Sequence, residues 1–512
     1  MSSPRRLAVL AVLVVVAGCT SVDPVAGAPT LSPTPTPTSS PSVDDPLAHF
    51  YAQQVDWSPC GEAECGTVQV PLDYDDPQGP VLTLALSRVP AGDPDRRLGS
   101  LVLNNGGPGV AATEYAKNAD LVVSPAVRAA FDVVGMDPRG VGGSSPIECV
   151  TDEQLDESLS TGDSTPDTPA EVEEFLAGVA EFRDGCLERS PDLLAHVGTT
   201  DVARDLDVVR AALGDERLSF LGKSYGTSIG VEYARQFPDR VGRLVLDGAV
   251  DPTLSDEQLL LGQAEGFELA LSRFVEDCLA RGCPLGSTPQ QVLGVVEQVL
   301  ATTDDEPLET SSRPLTQVLA TYGILFPLYQ PAEQGYPALE AGLQAARAGD
   351  GSVLLQIADL YLLRAPDGTF VTNQWDAFTP ISCLDRPSDA EPADVEAALP
   401  RFLAASPRFG EGLAWGMVSC TGWPVPSDGL PAPVAAAGAP PVLVVGTTGD
   451  PATPYAWAQA LAEQLESGVL LTYDGTPHTA YRKGSGCVDA AVDGYLLEGT
   501  LPAPGTVCPP SR

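Results

Sequence analysis

The chain is short of basic side chains and almost without imidazole. Lys and Arg together number 28 against 69 Asp and Glu, and the formal net charge over 512 residues is −41. A protein that tracks a phosphate backbone, or holds to an anionic membrane by charge, needs a basic face. Nucleic acid is therefore excluded as a partner. The only lysines are Lys117, Lys223 and Lys483, and the only histidines are His49, His196 and His478. That leaves too little imidazole for a His-based metal site, and neither a metal nor a cofactor is expected. The acidic balance suits a protein kept soluble outside the cell. Apolar residues, at 43%, are ample for a large core.

Hydrophobic runs long enough to span a bilayer are also missing. The run at the start, Leu7 to Ala17, follows Arg5 and Arg6 and is too short to cross. Residues 1–18 read as an export signal. Val16-Ala17-Gly18-Cys19 resembles a bacterial lipobox, in which Cys19 is lipidated and becomes the mature N-terminus. Residues 19–46 form a Pro/Thr/Ser tether that includes Thr34-Pro35-Thr36-Pro37-Thr38, a composition that cannot bury a core. The expected location is extracytoplasmic, either secreted or anchored to the cell membrane, with membrane contact only through the lipid, and the expected state is a monomer. Of 11 Cys, removing Cys19 leaves ten, an even number in an oxidising compartment. Disulfides are expected, and nearest-neighbour pairing gives Cys60–Cys65, Cys149–Cys186, Cys278–Cys283, Cys383–Cys420 and Cys487–Cys508. Sequence alone leaves that connectivity open.

From residue 47 onward, short apolar runs alternate with helical periodicity, the signature of a mostly parallel, doubly wound sheet flanked by helices. Val81–Val89, Ser100–Leu103, Phe131–Met136, Leu218–Leu221, Arg243–Leu246, Val442–Val445 and Val469–Thr472 read as strands. Asp201–Leu213 and Gly226–Gln236 read as helices. Between residues 251 and 423 the rhythm changes to long helical stretches such as Asp256–Ala280 and Tyr336–Leu363. The expected organisation is an α/β core over 47–250 and 424–512, interrupted by an inserted helical cap over 251–423.

The strongest motif sits at a strand-to-helix junction, Gly222-Lys223-Ser224-Tyr225-Gly226. G-x-S-x-G puts a nucleophilic serine on a tight turn, exposed above the sheet. The pattern recurs in overlap around Ser228, but Ser228 falls a full turn inside the following helix, so Ser224 is the expected nucleophile. Its base must follow it in the α/β-hydrolase order of serine, acid, histidine. His49 and His196 precede Ser224, which leaves His478. Asp450, after the strand that immediately precedes the one carrying His478, is the expected acid; Asp247 and Asp251 compete with it. Asn104-Asn105-Gly106-Gly107-Pro108-Gly109 follows a strand, where backbone N–H groups can approach an oxyanion. Gly107 and Tyr225, the residue after the nucleophile, are the expected donors. Gly107 to Ala112 also fits a G-x-G-x-x-A dinucleotide turn, but an exported chain is away from nucleotide pools, and the glycines serve acyl chemistry better.

Together with Asp137-Pro138-Arg139-Gly140-Val141-Gly142, Cys383-Leu384-Asp385, Cys420 and Trp423, these motifs resemble the α/β-hydrolase serine peptidases of the proline iminopeptidase type. More narrowly they resemble the bacterial secreted tripeptidyl aminopeptidases, from about Asp56 to the C-terminus. Asn105 stands where iminopeptidases carry His. The resemblance implies an α/β-hydrolase fold with a helical cap. It also implies release of short peptides, tripeptides foremost, from peptide or protein substrates with free N-termini, through an acyl-enzyme on Ser224. An esterase or lipase of the envelope would use the same triad, and a non-catalytic surface-binding lipoprotein is the remaining alternative. An aminopeptidase must also hold its substrate's ammonium group; Asp385, two residues after Cys383, is the candidate carboxylate.

Overall fold

The computed structural model describes residues 46–427 and 431–511; the expected export signal, Cys19 and nearly all of the tether lie outside the described residues. Ten strands form one sheet: β1 (Ser58–Cys60), β2 (Ala63–Pro71), β3 (Val81–Val89), β4 (Gly99–Asn104), β5 (Phe131–Met136), β6 (Leu218–Lys223), β7 (Val241–Asp247), β8 (Val442–Thr447), β9 (Gly468–Tyr473) and β10 (Val507–Cys508). Their spatial order is β1-β2-β3-β5-β4-β6-β7-β8-β9-β10. β1, β2 and β3 pair antiparallel, β3 meets β5 antiparallel, and from β5 to β10 every pairing is parallel. β4, β5 and β8 are buried along their whole length, as strands covered on both faces must be.

Strand side chains alternate between the faces with period two. Val102, Phe220, Leu244, Leu246, Val442 and Val444 point to one face, where the helices Thr199–Ala212 and Tyr225–Gln236 cover them. Leu101, Leu103, Leu221, Val245, Leu443 and Val445 point to the other, under the helices Pro125–Ala130 and Gly486–Glu498. This is the doubly wound α/β arrangement expected from the strand–helix alternation.

Between β7 and β8 the chain is helical, with apolar clusters of its own. One joins Phe267, Leu271, Phe274, Val296, Leu319, Ile324, Leu343 and Leu354, among others. A smaller one joins Ala264, Val395, Phe402 and Trp415. The stretch expected as one helix, Tyr336–Leu363, is two: Ala332–Arg347 and Ser352–Leu362, separated at Gly349, whose φ of 91° ends the first. Helices before residue 250 also serve this layer: Leu159 packs on the larger cluster and Phe175 on the smaller. Conversely, the helix Gln374–Asp385 sends Ala377, Ile381 and Leu384 into the main sheet core. The sulfurs are joined in five disulfides, Cys60–Cys65, Cys149–Cys186, Cys278–Cys283, Cys383–Cys420 and Cys487–Cys508.

Candidate active site

β6 ends at Lys223, and the next residue turns the chain sharply into a helix. Ser224 has φ 54° and ψ −126°, a strained conformation for a side chain with a Cβ. Its backbone N–H donates to the Asp247 carbonyl at 2.9 Å, and its carbonyl accepts from the Thr227 N–H at 2.8 Å. The turn is possible because its flanks are bare. A methyl on Gly222 would come within 2.3 Å of the Gly226 carbonyl oxygen, and one on Gly226 within 2.7 Å of the Asn104 carbonyl oxygen. Ser228 lies inside the helix Tyr225–Gln236, as its place in the overlapping motif implied.

The loop after β4 lies against this turn. A methyl on Gly106 would stand 3.1 Å from the Tyr225 nitrogen and 2.9 Å from the Ser224 Cβ, so the Gly106 backbone and the start of the serine helix lie close together. Asn104 shapes the loop by accepting the Gly106 N–H on its side chain at 3.0 Å.

β8 and β9 deliver the other pair. His478 Nδ1 lies 2.8 Å from Asp450 Oδ1. The same oxygen accepts the N–H groups of Ala452 (3.0 Å) and Thr453 (2.9 Å), while Oδ2 accepts that of Thr479 (3.0 Å). The carboxylate is thus fixed before the imidazole arrives. Thr453 Oγ1 approaches Nδ1 at 3.4 Å, and the Tyr329 ring meets the imidazole edge-on at 5.3 Å. With Nδ1 engaged, Nε2 is the nitrogen left for proton transfer. Of the other histidines, His196 lies 3.8 Å from Asp201 and His49 packs on Phe50.

Asp247, a competitor for the acid on sequence grounds, does something else. Fully buried at the end of β7, it accepts the Ala480 N–H at 2.8 Å and the Tyr481 N–H at 2.9 Å. Its backbone carbonyl holds Ser224, so one residue ties the serine turn to the histidine loop. Burial pushes its carboxyl pKa up, opposed by the charge of Lys223. The Lys223 ammonium stands 3.8 Å away and donates to the Tyr481 carbonyl at 2.9 Å. Asp251 accepts from Thr253 and Gln464.

Asp385, the candidate for the substrate's ammonium group, lies at the end of the helix Gln374–Asp385. Only 3% exposed, it accepts from the Thr199 N–H at 2.9 Å and the Thr199 hydroxyl at 2.5 Å, one bond on each oxygen. Burial raises its pKa. The Thr199 hydroxyl in turn lies 2.6 Å from the Tyr225 phenol. Through Thr199 the Asp385 carboxylate is linked to the residue beside Ser224. The Asp137-Pro138-Arg139 motif is architectural. Arg139, fully buried, grips both oxygens of Asp205 at 2.7 and 2.6 Å, and Asp137 accepts the Thr113 and Gly143 N–H groups. Thr199, Lys223 and Thr453 were not anticipated; Thr453, three residues after the acid, and Lys223, beside the nucleophile, carried positional hints.

Sheet order, serine turn, and the acid and histidine following adjacent strands define an α/β-hydrolase, and the chain is a serine hydrolase. Residues 406–508 match the family described as TAP-like proteins. Serine protease Hip1 of Mycobacterium tuberculosis is 39% identical over 483 residues, covering 89% of this chain and 91% of that protein. Carboxylesterase B of the same organism is 38% identical over 486 residues, covering 91% and 92%. The tripeptidyl aminopeptidase of Streptomyces lividans is 32% identical over 472 residues, covering 89% and 87%. The chain belongs to this TAP-like family of α/β-hydrolase serine peptidases.

Proposed function

We propose that the chain is an exopeptidase that releases short peptides, tripeptides foremost, from free N-termini, with Ser224, His478 and Asp450 as its triad. The observation that carries this reading is the His478–Asp450 pair, which leaves Nε2 free at the ends of β8 and β9, on the same sheet as the serine turn after β6. Ser224 Oγ attacks the scissile carbonyl while Nε2 takes its proton, and the Asp450 carboxylate steadies the imidazolium. The N–H groups of Gly107 and Tyr225 receive the developing oxyanion. Nε2 then returns the proton to the departing amine, and water, activated by the same nitrogen, frees the acyl group. The relatives named serine protease and tripeptidyl aminopeptidase support peptides as substrates. The segment Val16 to Cys19 supports a lipid anchor on Cys19, which would hold the enzyme outside the membrane.

A second reading is favoured by the carboxylesterase relative: the same triad acting on esters. A chromogenic panel separates the two. Free tripeptidyl anilides are expected to be cleaved, and their N-acetylated forms to lose about a hundredfold or more in kcat/KM, the scale on which a site built for a polar group rejects its blocked analogue. Equal rates on free and blocked peptides, or preference for long-chain esters, overturn the exopeptidase reading.

A further inference from the structure

The helical layer places a run of aromatic rings beside the site. It starts at Tyr329, edge-on to His478, and passes to Tyr361 at a ring separation of 6.0 Å, to Trp375 at 5.7 Å and to Phe378 at 6.2 Å. Tyr322 and Phe326 flank Tyr361 at 5.3 and 5.4 Å. These rings come from three helices, Gln317–Tyr329, Ser352–Leu362 and Gln374–Asp385, yet each keeps part of its surface open: Phe378 is 39% exposed and the others are half-buried. A finished core would have closed over them.

The two ends of the band meet different parts of the expected machinery. One end lies against the base, His478. The other lies on the oxyanion loop: a methyl on Gly109 would come within 2.6 Å of the Gln374 carbonyl oxygen and 3.2 Å of the Ala377 Cβ, and Trp375 and Phe378 are the next residues after these. The band therefore runs from the group that moves the proton to the loop that meets the carbonyl. The Trp375 indole N–H donates to the Leu362 carbonyl at 3.2 Å. Burial pushes the phenol pKa values of Tyr322, Tyr329 and Tyr361 up, so the band carries no charge in the working range.

We propose that this band is the subsite for the side chain of the residue that supplies the scissile carbonyl, and that it selects bulky apolar and aromatic residues there. A flat apolar side chain laid on open rings loses water from both surfaces and finds edge-on and offset partners. A carboxylate would lose its hydration among rings that offer no positive charge to offset it. The assignment rests on the peptidase reading above.

The test uses the mature protein and free-N-terminus Ala-Ala-X aminomethylcoumarins, with X as Ala, Leu, Phe or Asp. Matched p-nitrophenyl esters of N-acetyl-Ala and N-acetyl-Phe complete the set. Phe is expected to exceed Ala by about tenfold or more in kcat/KM, with Asp the poorest. Trp375→Ala is expected to bring the Phe/Ala ratio close to one, and Trp375→Phe to restore most of it. Phe378→Ser, at an exposed ring and so without a folding burden, is expected to lower the same ratio. Equal rates for all four peptides, or an Asp or Ala preference, overturn the subsite. Inert peptides together with a phenylalanyl ester that outpaces the alanyl ester sustain the subsite and overturn the peptidase reading instead.

Discussion

Replacing Asp450 by Asn changes one atom at the point where the acid, the histidine loop and the imidazole meet. Oδ1 faces three donors, the N–H groups of Ala452 and Thr453 and the imidazole at Nδ1, whereas Oδ2 faces one, the Thr479 N–H. The amide therefore keeps its oxygen at the Oδ1 place and turns its NH2 toward Thr479. In that orientation the imidazole keeps its productive tautomer, but the hydrogen bond to it loses its charge assistance, worth about 1.5–3 kcal/mol. At about 1.36 kcal/mol per decade, kcat on a fluorogenic tripeptide should fall by about ten- to a hundredfold, with KM nearly unchanged. The donor set against the Thr479 N–H adds a cost of about 1–3 kcal/mol to the fold, visible as a lower Tm. Asp247→Asn is the control. Each Asp247 oxygen holds one backbone N–H and neither touches the imidazole, so the variant should lose Tm to a similar extent but less than about tenfold in kcat. A larger kcat loss in Asp247→Asn than in Asp450→Asn, with comparable melts, would refute the assignment of the acid.

Two further outcomes follow from named side chains. Ser224→Ala should abolish covalent labelling by a fluorophosphonate, whereas Ser228→Ala, inside the helix, should label like the parent; labelling that survives in the Ser224 variant moves the nucleophile elsewhere. Burial pushes the Asp256 carboxyl up to about 7 against the opposing charge of Arg386, so the folded state binds its proton more tightly than the unfolded chain. Its contribution to stability is then full below about pH 4 and is lost as pH rises through about 7, and Asp256→Asn should raise Tm over the parent more at pH 8 than at pH 4. A difference independent of pH would show that Asp256 titrates normally.

Much of the sheet is written locally. Val81–Val89 and Phe131–Met136 coincide with their strands, because alternation in an antiparallel strand and a continuous apolar run in a buried parallel one are both visible in a few residues. β2 was passed over: Glu64-Cys65-Gly66 interrupts its pattern, and what makes it a strand is eight residues of pairing with β3. The helix ending at Arg347 was run on into the next because a Gly-rich break of four residues, 348–351, hardly disturbs an apolar period. At the site, serine, histidine and acid each carry a motif or an order in the chain. The Thr199 partner of Asp385 left no mark in the sequence, since the two are 186 residues apart and meet only in the fold. The aromatic band left no local trace, since its rings are spread from Tyr322 to Phe378 and meet only when the helices pack.

The helix Gln374–Asp385 is fastened to the sheet domain at three places. Asn373, its N-cap, exchanges hydrogen bonds with Gly140, Gly142 and Ile147; Asp376 accepts the N–H groups of Cys149 and Val150; Asp385 holds Thr199. Lifting this helix would strand buried carboxylates and amides at about 1–3 kcal/mol each. Even half of that total leaves the lifted form well below one molecule in a hundred, since about 3 kcal/mol is already more than a hundredfold. A helix this firmly seated does not swing. With the helix seated throughout the catalytic cycle, viscosity should slow turnover no more than free diffusion of the substrate requires.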